Sequence, residues 1–502
     1  MMNQLSSGVL LHPSSLFNQY PIGDIGPSAA HFVDFLGTSG LSLWQMLPVG
    51  PAGEGNCPYQ SMSAFGGNPL LVSPDRLVSE GFLESSDIEH YISSNDGKVN
   101  YPAAEELKTR LLRRAFENFE NKPQGQSQID FNAFKHLESY WLDDFSLFLA
   151  IQTKEGTSNW TRWSQELKTR QLDAIIAVQK DLGAEIRYHE FVQWQFAVQW
   201  NELKVYCKSK GIRLIGDIPM FVAHQSADVW AHPEFFKLDA DGNPSVVAGV
   251  PPDYFSKTGQ LWGLPVYRWD VLAQQKYSWW IERIRIALRR FDLVRLDHFI
   301  GFVRTFEVSA QAKTAENGEY VAGGGASFLQ ALREAFGVLP FIADNLGVVI
   351  PEVTALMEQF QIPGTQVLQF EYGSELGTNS ILSDEQLVNS VIYTGTHDND
   401  TTEGWYEHLP ADQRNNLEKQ LGVKNADIVW AMIRKAFGSQ ANTAIIPMQD
   451  FLNLGTEARM NFPGVADGNW QWRLQDGVLI PDLSNKIKNI SITNGRLSDG
   501  AS

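Results

Sequence analysis

The sequence predicts an α/β fold, a (β/α)8 TIM barrel that carries inserted, mainly helical and loop-rich subdomains. Two observations predict it: short apolar stretches with the length of buried strands recur along the chain, and amphipathic helical patterns lie between the later ones. The eight strand candidates are GVLLH (8–12), LSLWQML (41–47), RLIGDIP (213–219), DLVRLDH (292–298), FIADN (341–345), TQVLQF (365–370), VIYTGTHD (391–398) and TAIIPMQD (443–450). Strand–helix alternation implies parallel pairing, and eight such units suit a closed barrel. An open, doubly wound sheet is the structural alternative.

The intervening helices are read from apolar residues at helical spacing. SAAHFVDFLG follows the first strand, and YSWWIERIRIALRRF places Trp280, Ile284 and Leu288 on one face. SFLQALREAFG and PEVTALMEQF show the same spacing farther along the chain. Each of these helices is therefore expected to cover one side of the barrel.

Two segments do not fit the repeat. Residues 75–190 contain long helical patterns joined by polar connectors, which predicts an inserted helical subdomain. Residues 224–272 are rich in turns and include the aromatic run PPDYFSKTGQLWG, which predicts a loop-rich subdomain over the barrel mouth. Residues 1–502 together are expected to form a single catalytic barrel with these two insertions.

Composition excludes several classes of function. The balance of 40 Lys and Arg against 58 Asp and Glu gives a net charge of −18, which repels nucleic acid and anionic membranes. Only two cysteines occur, Cys57 and Cys207, which fits a reducing compartment. No basic and apolar leader opens the sequence, and no apolar run approaches membrane-spanning length. A cytoplasmic protein is expected.

Four of the eight strand candidates end on an aspartate, namely Asp217, Asp297, Asp344 and Asp398. A single such residue is more often a helix N-cap or a turn former. Four on parallel strands would converge on one mouth, because the carboxyl ends of barrel strands form the active face. The pattern therefore predicts a catalytic carboxylate cluster.

Arg295 and Asp297 are two residues apart on one predicted strand, so their side chains share a face. A nearby cation favours an ionised carboxylate, which suits a nucleophile. A structural salt bridge is the alternative. Clustered carboxylates with one kept ionised suit glycoside chemistry, in which one attacks and another protonates the leaving oxygen.

Aromatic residues in loop-like contexts could stack on sugar rings; they are Tyr59, Tyr254, Phe255, Trp262 and Trp405.

Other chemistries are less well supported. The motifs that signal zinc, calcium, nucleotide or serine-nucleophile sites are missing or incomplete in the sequence. The sequence therefore gives these chemistries no support.

The chain resembles the amylomaltases, the 4-α-glucanotransferases of glycoside hydrolase family 77. The motifs that carry the resemblance are GVLLHPSSL, LPVGPAGEGNCPYQSMSAFGGNP, GDIPMFVAHQSADVWAHPEFF, VVAGVPPDYFSKTGQLWG, VRLDHFIGF, YTGTHDNDTTEGWY, ARMNFPG and NWQWRL. They extend over nearly the whole chain, and residues 75–190 are the least family-like. The resemblance implies a retaining double displacement that moves α-1,4-glucan segments between malto-oligosaccharides through a covalent glycosyl-enzyme. It also implies that the reaction needs no metal and no organic cofactor.

The resemblance also implies roles for individual residues. Asp297 in VRLDHF is similar to the nucleophile, Asp344 stands at the acid/base position, and Asp398 in THDND resembles the transition-state carboxylate. The implied substrate contacts are Tyr59, Asp217, Arg295, His397, Tyr254, Phe255 and Trp262.

The sequence departs from the family pattern at the acid/base position, where ADNLG replaces the usual AEDLG or AENLG. Asp344 is therefore one methylene shorter than the family's glutamate. Ile300, Leu264 and Cys57 are further departures. An active transferase is the first expectation. The alternatives are a catalytically weakened or silent glucan-binding homologue, and a hydrolase or debranching-type enzyme on the same scaffold.

Overall fold

A computed structural model describes residues 5–89, 96–123, 125–252, 256–347, 350–373, 387–424 and 427–497. The strands are β1 Ser6–Leu10, β2 Leu43–Gln45, β3 Arg213–Ile218, β4 Val246–Val250, β5 Gln260–Pro265, β6 Leu293–Leu296, β7 Arg304–Ser309, β8 Gly318–Ala322, β9 Phe341–Ala343, β10 Gly364–Val367, β11 Ser390–Tyr393 and β12 Thr443–Pro447.

The α-helices are Pro27–Thr38, Pro74–Ser79, Tyr101–Asn121, Gln126–Glu155, Gln165–Lys168, Leu172–Asp181, Gly183–Ser209, Ala227–Ala231, Trp269–Gln274, Ser278–Arg290, Ile300–Val303, Gly325–Phe336, Pro351–Phe360, Leu368–Gly373, Thr402–His408, Ala411–Leu421, Ile428–Phe437, Met448–Phe451 and Pro481–Thr493. Short 3-10 turns occur at Pro13–Ser15, Glu54–Asn56, Pro69–Leu71, Ser85–Asp87, Trp160–Arg162, Pro233–Phe235 and Thr456–Ala458.

Eight parallel strands close into a barrel in the order β1, β2, β3, β6, β9, β10, β11, β12 and back to β1. These are the eight predicted strands, so the (β/α)8 prediction is confirmed. The contact between β1 and β12 excludes the open-sheet alternative, because an open sheet leaves its first and last strands unpaired. Nearly every residue of these strands is buried, as strands enclosed by helices require.

The predicted helix around 277–291 shows how the outer layer packs. It spans Ser278–Arg290 and buries Trp279, Trp280 and Ile284, while Leu288 is half-buried. Arg289 and Arg290 lie in its last turn, where positive charge complements the partial negative charge of the carbonyl end. The periodicity therefore identified both the helix and its buried face.

A four-stranded antiparallel sheet lies outside the barrel, in the order β5, β4, β7, β8. Strands β4 and β5 fall within the segment predicted as loop-rich, 224–272, whereas β7 and β8 follow barrel strand β6. These strands were missed because they are short, because β4, β5 and β8 contain glycine, and because β4 pairs with β7 across a long stretch of sequence. The boundary predicted at residue 190 falls inside helix Gly183–Ser209.

Candidate active site

Cross-strand register brings three of the predicted aspartates around one arginine. Arg295 on β6 lies opposite Asp217 on β3, and the neighbouring pair Leu296–Ala343 places Asp344 directly after β9 on the other side. Asp297 follows β6 itself. Because register partners on parallel strands point to the same face, the four side chains meet at the carboxyl end of the barrel.

The guanidinium of Arg295 contacts all three carboxylates. Its Nη1 donates to Asp217 Oδ2 at 2.5 Å and to Asp297 Oδ1 at 3.2 Å, and its Nη2 donates to Asp344 Oδ2 at 2.8 Å. The exposed fraction of the side chain is 0% for Asp217, 24% for Asp297 and 15% for Asp344. Asp217 thus forms the floor of the site, and the other two carboxylates remain open to the mouth.

The helix-capping explanation of these aspartates is wrong. The helices that follow Asp297 and Asp398 have Phe299 and Thr401 at their N-caps. Asp344 precedes helix Pro351–Phe360, whose N-cap is Ile350. None of the three therefore caps the helix that follows it, although Asp344 Oδ1 accepts the Leu346 N–H at 3.4 Å, a local contact of the kind expected of a turn former.

The electrostatics of Asp297 differ from the expectation that Arg295 keeps this carboxylate ionised. Burial raises the pKa of Asp297 well above its ordinary range, and repulsion from Asp217, Asp344 and Asp398 adds to the rise. Arg295 acts in the opposite direction without prevailing, because its single charge is shared by three carboxylates. Burial, first of all, also raises the pKa of Asp217. The rise in the pKa of these two carboxyls is opposite in direction to what the Arg295–Asp297 spacing predicts.

Tyr59 and His397 extend the cluster. The Tyr59 hydroxyl donates to Asp217 Oδ2 at 2.9 Å and lies 2.9 Å from His397 Nε2. Since that hydroxyl has one proton and gives it to Asp217, the histidine nitrogen is the donor to Tyr59. The Tyr59 and His397 rings stack, with centroids 5.2 Å apart. Burial raises the pKa of Tyr59, so the phenol stays protonated.

Asp398 lies at the rim, and its side chain is 49% exposed. Its Oδ2 is 3.4 Å from His397 Nε2, and its Oδ1 accepts a bond from Asn461 Nδ2 at 2.6 Å. Arg459 donates to the Asp398 backbone carbonyl at 2.8 Å. Asn461 and Arg459 belong to the ARMNFPG stretch, whose contact with the site the sequence alone did not reveal.

His298 is a second residue that sequence reasoning missed. Its backbone adopts a left-handed conformation with φ of 48°, and its N–H donates to Asp344 Oδ2 at 3.2 Å. The ring packs edge-on against Trp262, with centroids 4.8 Å apart, and burial lowers its pKa to about 4. A non-glycine residue at positive φ is uncommon. This turn places the neutral imidazole of His298 beside Asp344.

The aromatic residues are only partly placed. Trp262 lies on β5 and reaches the site through His298, and Trp405 is half-buried in helix Thr402–His408. Tyr254 and Phe255 lie outside the described residues. Cys57 lies near Asp297 and Asp398, and burial raises the pKa of its thiol to about 11, so the thiol is protonated.

Within the described ranges, no three His, Cys, Asp or Glu side chains form a group suited to a metal ion. No helix in the same ranges is both long enough and apolar enough to cross a membrane.

A (β/α)8 barrel with an arginine-centred carboxylate cluster at the carboxyl ends of its strands supplies the paired carboxyl groups that glycoside chemistry uses. The family profile described as 4-alpha-glucanotransferase matches residues 11–479. The 4-alpha-glucanotransferase of Synechocystis is 43% identical to this chain over 99% of this chain and 99% of its own length. The 4-alpha-glucanotransferase of Thermus thermophilus is 42% identical to this chain over 98% of this chain and 99% of its own length. The structure of amylomaltase from Streptococcus agalactiae in complex with acarbose superposes with a TM-score of 0.94 at 35% identity, covering 98% of this chain and 100% of that one. The chain belongs to the 4-alpha-glucanotransferase family.

Proposed function

We propose that the protein is a 4-alpha-glucanotransferase that moves α-1,4-glucan segments between malto-oligosaccharides by a retaining double displacement. The observation that carries this proposal is the cluster in which Arg295 contacts Asp217, Asp297 and Asp344. Retaining enzymes need two carboxyl groups on either side of the glycosidic bond. Membership of the family supports the same donor and acceptor sugars.

Asp297 is proposed as the nucleophile, because it is the most exposed of the three carboxylates that Arg295 contacts. One oxygen attacks the anomeric carbon while the glycosidic C–O bond breaks. The positive charge that develops on the sugar favours the ionised form of Asp297. This charge offsets the raised pKa of Asp297 when its carboxylate attacks the sugar.

Asp344 is proposed as the general acid and base. In the first step its carboxyl proton passes to the leaving glycosidic oxygen. In the second step its carboxylate takes the proton from an acceptor hydroxyl, whose oxygen attacks the anomeric carbon and releases Asp297. The neutral His298 ring, which packs edge-on against the Trp262 indole, lies beside this position.

Asp398, His397, Tyr59 and Asp217 are proposed to hold the sugar that reacts. Asp398 is anchored through one oxygen by Asn461 and stays half-exposed, so it can accept bonds from sugar hydroxyls. Tyr254, Phe255 and Trp262 are proposed to contact the glucan through their ring faces. We further propose that residues 1–502 act as one catalytic unit, with 75–190 and 224–272 as insertions, and that the protein is cytoplasmic.

Incubation with maltotriose tests the proposal. A transferase gives glucose together with chains longer than the substrate. A hydrolase gives only shorter products, and a silent glucan-binding homologue gives no product while still binding the sugar. The appearance of glucose without maltopentaose, or of no product, would contradict the proposal.

A further inference from the structure

The carboxylate of Asp450 joins two ends of a loop at the barrel mouth. Asp450 lies in helix Met448–Phe451, immediately after β12, and is 1% exposed. Its Oδ1 accepts the backbone N–H of Thr402 at 2.8 Å, and its Oδ2 accepts the hydroxyl of Thr402 at 2.6 Å. The hydroxyl of Thr394 donates to the same Oδ2. Both threonines are fully buried.

The segment between these threonines, 394–402, carries His397 and Asp398. It runs from the end of β11 to the start of helix Thr402–His408. Inside it, Asn399 Oδ1 accepts the backbone N–H and the hydroxyl of Thr396, both at 2.9 Å. These bonds shape the turn locally. Asp450 holds both ends of the turn against helix Met448–Phe451. Gln369 supports the turn from the other side, since its backbone N–H donates to the Thr394 carbonyl at 3.2 Å and its Nε2 donates to the Asp400 carbonyl at 2.9 Å.

The chemistry of the contact explains why a carboxylate is placed there. An ionised carboxylate only accepts hydrogen bonds, and its two oxygens lie in one plane at a fixed separation. Three donors from two places in the chain can therefore converge on one rigid group. A buried carboxylate without a cation is costly unless it is hydrogen-bonded. The buried carboxylate of Asp450 is therefore tolerated because its three hydrogen bonds fix the positions of Thr394 and Thr402.

We propose that Asp450 is a positioning residue for the transfer reaction, which holds the loop 394–402 in the register that places His397 and Asp398 at the reacting sugar. It acts through the loop, because its carboxylate faces Thr394 and Thr402 at the base of that loop. The inference rests on the proposed function for its effect on turnover, and its effect on the loop is independent of that function.

Asp450→Asn is the first test. The amide keeps the size and keeps an acceptor for the Thr402 N–H, but its nitrogen now donates toward two hydroxyls that were themselves donors. We expect kcat on maltotriose to fall by roughly tenfold to a hundredfold, since a misplacement of about 1 Å can cost about 10² in rate. The expected change in KM is within about threefold, because binding at distant subsites does not pass through this loop.

Asp24→Asn is the matched control. Asp24 is also 1% exposed, and it accepts bonds from Lys108 and from the Gly26 N–H, with no contact to the loop. Its loss should lower the melting temperature while kcat stays within twofold. A kcat loss in Asp24→Asn as large as that in Asp450→Asn would assign both effects to general destabilisation and overturn the inference.

A double-mutant cycle with Asp398→Ala supplies a readout that a merely structural role would not move. If Asp450 acts through Asp398, adding Asp450→Asn to Asp398→Ala should lower kcat by less than about threefold, because coupled residues show non-additive effects. Fully additive losses would overturn the inference. Should Asp450→Asn fail to fold, Thr394→Val removes one hydroxyl of the same contact and enters the cycle in its place.

Hydrogen exchange distinguishes failure of this inference from failure of the proposed function. Amides of 394–402 should exchange at least about tenfold faster in Asp450→Asn than in the native chain, while the β1 and β12 amides stay unchanged. Unchanged exchange in the loop overturns the inference whatever the activity. If the native chain itself forms no transfer product, the proposed function fails, and faster loop exchange still supports the positioning role.

Discussion

Placing glutamate at Asp344, the proposed acid/base residue, is the most informative perturbation. Asp344 is held back against the barrel wall, where its Oδ2 accepts bonds from Arg295 Nη2 at 2.8 Å and from the His298 N–H at 3.2 Å. A longer side chain would keep the same backbone position and carry the carboxyl toward the mouth. The aspartate is partly open on that side, which gives the extra methylene room.

The expected magnitude comes from geometry. One methylene adds a C–C bond of about 1.5 Å, of which on the order of 1 Å lies along the direction of reach. A misplacement of that size can cost about 10² in rate, or about 2.7 kcal/mol of barrier at about 1.36 kcal/mol per tenfold. General acid–base catalysis contributes about 10² to 10⁴ in all. We therefore expect Asp344→Glu to raise the rate of disproportionation at least about tenfold and to lower the hydrolysed fraction.

The assay follows glucose and longer malto-oligosaccharides formed from maltotriose by the native chain, Asp344→Glu and Asp344→Asn. The asparagine variant keeps the size of the native side chain and removes proton transfer, so it should fall well below the native rate. A lower rate in Asp344→Glu would mean that the pocket has contracted around aspartate and would refute the reasoning. An unchanged rate in Asp344→Asn would remove Asp344 from the acid/base role.

Four further outcomes are expected. Asp297→Asn should abolish the covalent glycosyl-enzyme seen by mass spectrometry while circular dichroism stays native; an adduct trapped on another residue would contradict the nucleophile assignment. The same variant should raise the melting temperature more at pH 8 than at pH 4. The reason is that the pKa of Asp297 in the folded chain is raised above the ordinary 3.8, so the free energy of unfolding falls as the pH rises and this buried carboxyl ionises. A larger gain in melting temperature at pH 4 would contradict this direction. Trp262→Ala should weaken the use of long glucans more than that of maltotriose, whereas equal losses would indicate packing alone. Arg496 is fully buried and donates to five backbone carbonyls, those of Ser6, Phe437, Ser439, Ala441 and Asn442. Arg496→Met should lower the free energy of unfolding by at least about 3 kcal/mol in chemical denaturation, because each acceptor left without a donor costs about 1–3 kcal/mol. A decrease below about 1 kcal/mol would contradict this.

The barrel could be predicted because its strands are local signals. Each of the eight is a short apolar run whose length and composition separate it from the amphipathic helices around it, as β6 and helix Ser278–Arg290 illustrate. The outer sheet could not be predicted in the same way. Strand β8 is largely exposed, and the pairing of β4 with β7 joins residues about 60 positions apart, such as Val246 and Ser309, which no local pattern encodes.

For the site, the sequence by itself determined which groups are available: aspartates at strand ends, and Arg295 two residues before Asp297 on one face. Only the tertiary structure decided how they share charge. Burial in the folded barrel raises the pKa of Asp297, and register on β3, β6 and β9 adds repulsion from Asp217 and Asp344, which share the same guanidinium. The roles of His298 and Asp450 likewise depend on a left-handed turn and on a contact 48 residues apart in the chain. Spacing along a strand fixes which way a side chain points, but the charge that it meets is set by strands far away in sequence.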